Sequence, residues 1–185
     1  GSLDANPPVL RSGARVGDVV HVIGELGQAD RGLRLLFDRF TDAAGIPVPI
    51  LAADRAALDP ADAHALERQL TPRPPVADAL RAAALGATAM MDISDGLVLD
   101  AARLADASGV TLDIDSRRLG PDVERALRGG EDHGFLVTFP PGGAAVGERI
   151  GAVVPRGAAG VLVDGAAFSG RGGWDPYRDW DAGRG

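Results

Sequence analysis

The stretch DISDGL, residues 92–97, decides how this chain of 185 residues is interpreted. It places two carboxylates and a hydroxyl within four residues, at Asp92, Ser94 and Asp95. An apolar segment, residues 87–91, precedes it and a helix-like segment follows it, so that hard oxygen ligands lie where a strand meets the start of a helix. Mg²⁺ takes few carboxylates and leaves sites for phosphate oxygens, and helix N-termini favour anions. The stretch therefore predicts phosphate chemistry.

Ordinary helix capping is the alternative explanation of this stretch. Asp and Ser are frequent N-cap residues, and Gly96 would fit a tight turn, so that the string taken alone is compatible with capping. A second acid-rich turn, residues 129–132, contains two glycines followed by Glu131 and Asp132. Two glycines beside two carboxylates suggest that the backbone approaches a ligand closely, whereas a plain turn before a strand explains them equally well. The two turns together favour a ligand site.

Two further motifs accompany these turns. They are LRSGA at residues 10–14, followed by Gly17 and Asp18, and GWD at residues 173–175. The order and spacing of all four motifs resemble the C-terminal portion of the thiamine-monophosphate kinase family, which belongs to a superfamily with aminoimidazole ribonucleotide synthetase and selenophosphate synthetase. DISDGL is specific within that superfamily, because the sister enzymes carry other residues at that turn.

The resemblance implies metal and nucleotide contacts at four residues. Asp92 and Asp95 match magnesium ligands of the family, and Arg11 and Ser94 match contacts to ATP. Transfer of a phosphoryl group needs little covalent help from a protein, so that carboxylate-bound Mg²⁺ and a guanidinium that pairs two phosphate oxygens are suitable groups. No residue is assigned a covalent or acid–base catalytic role. Without the resemblance, Arg11 would equally be a surface residue before a Ser-Gly turn.

The resemblance also implies that Glu131 and Trp174 contact the substrate, thiamine monophosphate. A tryptophan face attracts a cation such as the thiazolium by roughly 0.5–2 kcal/mol, and a carboxylate accepts hydrogen bonds from a ring amino group. Hydrophobic packing is the alternative for Trp174, because aromatic residues lie mostly in cores. His133 and Gly134 replace the Tyr-Glu of many relatives, which leaves the surroundings of Glu131 open.

The function implied by the resemblance is an ATP-dependent, Mg²⁺-assisted phosphotransferase that converts thiamine monophosphate into thiamine diphosphate in the cytoplasm. The full-length relatives are expected to be homodimers.

Family chains are close to twice this long, and nothing before Arg11 matches the acidic nucleotide motif of their N-terminal half. We therefore expect residues 1–185 to form a single C-terminal-type domain that is inactive alone. Gly1-Ser2 is either a tag remnant or native, and the interval from Leu119 to Gly129 is shorter than the family usually has. An isolated, non-catalytic substrate-binding half and another phosphoryl-transferring member of the superfamily are the open alternatives.

The composition excludes several other classes of protein. All 19 basic residues are arginine, which excludes a P-loop lysine, and cysteine is absent, which excludes thiolate metal sites and disulfides. The formal net charge of −7 argues against a nucleic-acid-binding surface. No apolar run approaches the length that spans a membrane, so that no membrane partner is expected.

The apolar pattern predicts strands and helices that alternate along the chain. Strands are predicted at residues 19–23, 87–91, 110–114, 135–139, 150–154 and 161–163, and helices at residues 28–40, 61–70 (capped by Asp59), 76–85 and 96–108. Residues 54–60 are predicted to be a loop, and the glycine-rich residues 166–185 a loop or tail. These elements predict an α/β (α+β) fold with one mixed sheet covered by helices, resembling the C-terminal domain of the aminoimidazole ribonucleotide synthetase superfamily.

Overall fold

A seven-stranded mixed sheet is the centre of the fold. The computed structural model describes residues 7–170, 172 and 173. Its strands are β1 (Val19–Ile23), β2 (Ala89–Ile93), β3 (Thr111–Ile114), β4 (Gly134–Phe139), β5 (Glu148–Val154), β6 (Val161–Val163) and β7 (Ala166–Ala167). Their order is β2-β4-β1-β5-β3-β6-β7, and all neighbours are antiparallel except β3 and β6. Strand β2, which leads into DISDGL, therefore lies at an edge of the described sheet.

Helices lie on both faces of this sheet. They are α1 (Gln28–Arg39), α2 (Ala52–Ala56), α3 (Pro60–Leu70), α4 (Val76–Ala84), α5 (Leu97–Ser108) and α6 (Val123–Arg128), with a short 3₁₀ turn at Ser116–Arg118. Helix α3 begins where the Asp59 side chain accepts a hydrogen bond from the backbone N–H of Asp62. Helix α5 ends at Gly109, whose φ of 68° suits glycine. Among the described residues, no helix has both the length and the apolarity needed to cross a membrane.

The hydrophobic core is divided by the sheet. The larger cluster packs α5 and α6 against one face and includes Leu97, Leu104, Leu112, Ile114 and Leu136. A second cluster packs α4 against the other face through Ala82, Val137 and Phe139, since successive strand residues point to opposite faces. A third cluster joins α1 to α3. Both ends of the DISDGL stretch are thereby fixed, one by the sheet and the other by the buried helix α5.

The predicted fold class is confirmed, and most predicted elements lie within two residues of their observed bounds. Two of the described α-helices were missed. Helix α2 overlaps residues predicted to be a loop, and α6 lies in a stretch for which no element was predicted. These helices have five and six residues, which is too short for a 3.6-residue period to be visible. Strand β7 also occupies the start of the predicted tail, whose residues 171 and 174–185 lie outside the described ones.

Candidate functional site

The first turn, residues 92–97, crosses from strand β2 into helix α5, as predicted. Asp92 is exposed near the end of the strand, and Leu97 is buried at the start of the helix. Between them, Gly96 has a φ of 122°, and a Cβ added there would lie 2.8 Å from the carbonyl oxygen of Arg128. Glycine is therefore required at this position both by the backbone conformation and by the space available.

A buried carboxylate from inside helix α5 holds the first turn in place. Asp100 is 1% exposed, and its Oδ2 accepts hydrogen bonds from the backbone N–H groups of Ser94 at 2.9 Å and Asp95 at 3.1 Å. Burial raises the pKa of the Asp100 carboxyl, while these N–H groups and Arg103 act against the rise. The Arg103 guanidinium donates to Asp100 Oδ1 at 2.7 Å and to Asp95 Oδ2 at 2.5 Å. Sequence analysis missed both Asp100 and Arg103, and their i, i+3 spacing on a helix was the only available signal.

The second turn, residues 129–132, lies directly against the first. The backbone N–H of Glu131 donates to the carbonyl oxygen of Ser94 at 2.7 Å, and that of His133 donates to the carbonyl oxygen of Ile93 at 3.1 Å. A Cβ at Gly130 would lie 3.0 Å from the Ser94 carbonyl oxygen. The two motifs that were separate in the sequence are therefore in contact, and the glycine allows their close approach.

The two carboxylates of the second turn have different surroundings. Asp132 is 5% exposed and accepts hydrogen bonds from the backbone N–H groups of Gly27 at 2.5 Å and Ala29 at 2.9 Å, at the start of α1. Burial raises the pKa of the Asp132 carboxyl, and the helix N–H groups oppose that rise. The Glu131 side chain is 64% exposed, and its backbone has a φ of 68°. Asp132 thus anchors helix α1, whereas Glu131 projects from a strained backbone into solvent.

A third segment approaches the first turn from the end of the described chain. A Cβ at Gly173 would lie 2.0 Å from the carbonyl oxygen of Asp95, and a Cβ at Gly172 would lie 3.0 Å from Cγ1 of Val98. The backbone of these two glycines therefore packs on the start of α5. Trp174 follows them in the sequence and lies outside the described residues, so that its contact with substrate stays a prediction.

The segment that contains Arg11 contacts the opposite end of α5. The carbonyl oxygen of Arg11 accepts a hydrogen bond from Ser108 Oγ at 2.8 Å, and Ser108 Oγ accepts one from the Ala14 N–H at 3.2 Å. A helix of twelve residues is about 18 Å long. The backbone of the exposed Arg11 therefore lies at the end of α5 away from the first turn, and no hydrogen bond or ion pair among the described residues joins Arg11 to Ser94. The nucleotide contact of Arg11 stays a prediction.

The first turn offers an incomplete set of metal ligands. In residues 7–170, 172 and 173, no three His, Asp or Glu side chains are grouped so as to hold a metal ion. Asp92 is exposed, and the Oδ1 atom of Asp95 accepts no hydrogen bond from a described residue, since Arg103 contacts Oδ2. Two such carboxylates suit Mg²⁺, which is commonly held by one or two carboxylates and by substrate phosphates. The residue types match those that hold Mg²⁺, and the metal-binding role of Asp92 and Asp95 stays a prediction.

A charged cavity of about 650 Å³ lies elsewhere, beside strands β3 and β5. Its lining contains three carboxylates and three guanidinium groups, those of Asp113, Asp115, Asp164, Arg117, Arg118 and Arg149. The charges of these side chains balance, and no residue predicted for the site lines the cavity. The candidate site therefore rests on the contacts among the motifs and not on this cavity.

Residues 15–148 match the family described as AIR synthase related protein, C-terminal domain. The chain belongs to this family. As an AIR synthase related domain, it is similar to the thiamine-monophosphate kinase of Mycobacterium tuberculosis (strain ATCC 25618 / H37Rv), with 35% identity over 98% of this chain and 53% of the relative. It is 36% identical to the thiamine-monophosphate kinase of Aquifex aeolicus (strain VF5), over 71% of this chain and 42% of the relative. The resemblance inferred from the four motifs is confirmed.

Solved structures of relatives show the same fold. The structure of AaThiL complexed with AMPPCP and TMP has a TM-score of 0.72 and 33% identity, covering 89% of this chain and 53% of that one. Thiamine-monophosphate kinase from Stenotrophomonas maltophilia K279a has a TM-score of 0.67 and 30% identity, covering 86% of this chain and 54% of that one. This AIR synthase related domain thus spans about half the length of the curated M. tuberculosis relative and of these solved chains.

Proposed function

We propose that this chain supplies the C-terminal half of an ATP-dependent thiamine-phosphate kinase, which transfers a phosphoryl group from ATP to the phosphate of thiamine monophosphate. Relatives at 35% and 36% identity are thiamine-monophosphate kinases, and a structural neighbour binds AMPPCP, an ATP analogue, together with TMP. The observation that carries the proposal is the contact between the first and the second turn, through the 2.7 Å hydrogen bond from Glu131 N–H to the Ser94 carbonyl oxygen. Ser94, proposed for the phosphate side, and Glu131, proposed for the substrate side, are therefore neighbours in the fold.

On the phosphate side, Asp92 and Asp95 would hold Mg²⁺, and Ser94 would contact the nucleotide. A bound Mg²⁺ neutralises charge on the transferred phosphoryl group. The backbone N–H of Ser94 is already engaged by Asp100, so that its hydroxyl is the group offered to the nucleotide. Because the turn is anchored before any ligand arrives, little ordering of its backbone would be needed on binding.

On the substrate side, Glu131 and Trp174 would bind thiamine monophosphate. The exposed Glu131 carboxylate would accept hydrogen bonds from the amino group of the pyrimidine ring. Trp174 would stack on the thiazolium cation. Its neighbour in the sequence, Gly173, packs on the backbone of Asp95.

The proposal extends to the surroundings of the complete protein. We propose Mg²⁺ as its metal ion, the cytoplasm as its location and a homodimer as its assembly. Neither nucleic acid nor a membrane is proposed as a partner. The net charge of −7 supports the absence of a nucleic-acid partner, because phosphate backbones require a basic surface.

A hybrid enzyme tests this function. The chain is joined to the N-terminal segment that precedes the matched region in the M. tuberculosis relative, and ATP, MgCl₂ and thiamine monophosphate are added. We expect formation of thiamine diphosphate and ADP, loss of turnover with EDTA, and no diphosphate from thiamine. The same N-terminal segment with its own C-terminal half is the positive control. A folded hybrid that is inactive beside an active control would contradict the proposal.

A substrate-binding half without catalytic activity is the second candidate, and it is favoured by the exposed Glu131 carboxylate, which would bind substrate without taking part in phosphoryl transfer. Phosphoryl transfer depends on complete positioning of both substrates, so that the isolated chain is expected to show negligible turnover. Calorimetric titration of the isolated chain with thiamine monophosphate distinguishes the two candidates when it is compared with the hybrid. Binding by the chain together with an inactive hybrid would favour the second candidate.

A further inference from the structure

The Asp95 carboxylate is held by contacts that begin in the core. Asp100 is 1% exposed and is fixed by the backbone N–H groups of the first turn. Its Oδ1 accepts a hydrogen bond from Nη1 of Arg103 at 2.7 Å, and the same Nη1 lies 2.5 Å from Oδ2 of Asp95. One nitrogen atom therefore bridges a buried carboxylate and a surface carboxylate. The buried group fixes the position of the nitrogen, and the nitrogen fixes the surface group.

The bridge leaves one oxygen of Asp95 available. Arg103 engages Oδ2, while Oδ1 accepts no hydrogen bond within residues 7–170, 172 and 173. The side chains of Arg103 and Asp95 are 32% and 27% exposed, so that their contact is partly shielded from water. Mg²⁺ requires near-octahedral geometry with oxygen distances of about 2.0–2.1 Å. A carboxylate held in one orientation meets that requirement at a lower entropic cost than a mobile one.

We propose that Arg103, anchored by Asp100, is a positioning residue that orients the Asp95 carboxylate and thereby strengthens its affinity for Mg²⁺. This inference rests on the proposed role of Asp95 as a metal ligand. Hydrogen-bond partners of ligating carboxylates typically contribute 10- to 100-fold to metal affinity. Arg103 would act through Asp95 and would not touch the metal.

The charge of Arg103 alone would act in the opposite direction. A guanidinium repels a nearby cation, so that its removal would tighten Mg²⁺ binding if charge were the only effect, and lysine would behave like arginine. At a partly exposed position this repulsion is screened by water and salt. The sign of the change in affinity after neutral substitution therefore separates positioning from simple repulsion.

The test is a titration of the full chain with MgCl₂, followed by the NMR shifts of the backbone amides of residues 94–96. Arg103→Met removes both the charge and the hydrogen bonds and keeps an unbranched apolar stem in place of the arginine methylenes. We expect it to weaken Mg²⁺ binding about tenfold or more. Arg103→Lys restores a donor and the charge, and we expect it to recover part of the affinity. Arg103→Gln is the second neutral variant in case Met unfolds the chain, and we expect the same direction of change.

Arg156→Met is the matched control. Arg156 forms an ion pair at 2.7 Å with Asp106, which lies on α5 like Arg103 but at the end of the helix far from the first turn. The Arg156 side chain is 42% exposed, which is similar to the exposure of Arg103. We expect this variant to bind Mg²⁺ like the wild type. Equal or tighter Mg²⁺ binding by a folded neutral Arg103 variant would overturn the inference and leave the proposed function intact. A wild-type first turn that does not respond to MgCl₂ would overturn the metal assignment and this inference together.

Discussion

The first and the second turn each carry two carboxylates, but they are anchored in different ways. The first turn is held by Asp100, which reaches back from helix α5, and both of its own carboxylates stay at the surface. The second turn is held by its own Asp132, which is buried against the start of α1, so that only Glu131 is exposed. In both cases one buried carboxylate accepts backbone N–H groups, and the carboxylates that remain exposed are the ones available to a ligand.

The largest expected effect is on the backbone of the first turn. Gly96→Ala forces a φ of 122° on a residue with a Cβ and pushes that Cβ against the carbonyl oxygens of Arg128, at the end of α6, and Gly172. We expect a loss of about 3 kcal/mol in the free energy of unfolding, measured with urea. Gly157→Ala is the control, because the nearest atom to its Cβ is 3.8 Å away. A loss below about 1 kcal/mol for Gly96→Ala would show that the first turn is not rigidly packed against the end of α6 and Gly172.

The next largest effect distinguishes a metal ligand from a structural residue at Asp95 in the first turn. Asp95→Asn in the hybrid enzyme removes a charge that would face Mg²⁺, and we expect turnover to fall about 100-fold. Stability should change by less than about 1 kcal/mol, because the ion pair with Arg103 is partly exposed. Kinetic assays and urea unfolding of the same variant give both numbers. Retained turnover with a clear loss of stability would make Asp95 a structural residue.

The anchor of the second turn should show the opposite pattern. Asp132→Ala leaves the N–H groups of Gly27 and Ala29 without their acceptor at the buried start of α1. We expect a loss of about 2 kcal/mol in the free energy of unfolding. Asp59→Ala, which removes the exposed cap of α3, should cost less. An Asp132 variant as stable as the wild type would mean that α1 does not depend on this carboxylate.

A smaller effect is expected in the pH dependence of stability. Burial raises the pKa of Asp132 in the folded chain above its ordinary value of 3.8, so that the folded chain keeps this proton to a higher pH than the unfolded chain. The contribution of Asp132 is therefore greatest at low pH and decreases as the pH rises through the folded pKa. Asp132→Asn removes this titration. We expect the stability of the wild type relative to this variant to fall as the pH rises from the ordinary carboxyl pKa through the raised pKa of Asp132 in the folded chain. A pH-independent difference would contradict the raised pKa.

The strand before the first turn and the helix after it were predictable from the sequence. Both elements are long enough to show their periods, and Gly109 marks the end of that helix. The anchors were not predictable, because their partners are decided by the fold. Asp132 meets backbone groups 105 and 103 positions earlier in the chain. From the sequence, Asp132 and Glu131 look alike, and only burial separates the anchor from the exposed carboxylate.

The position of Arg11 in the fold could not be predicted from the sequence either. Its motif was recognised in the correct order along the chain, but order does not determine distance. The contact with Ser108, 97 positions away, places the Arg11 backbone at the far end of α5. Helices α2 and α6 were missed for a different reason, since each is too short for an apolar period to form.

The most direct test of the site is to map Mn²⁺ binding on the full chain by NMR. Mn²⁺ is a paramagnetic substitute for Mg²⁺ that also prefers carboxylates, and it broadens the amide signals of the residues near it. The first turn and Glu131, which is hydrogen-bonded to it, are predicted to broaden together at the lowest Mn²⁺ concentration. The carboxylates Asp113, Asp115 and Asp164, which line the charged cavity, are the internal comparison and should respond later. Broadening that begins in this cavity and leaves the first turn unaffected would contradict the assignment of the metal and phosphate site to residues 92–97.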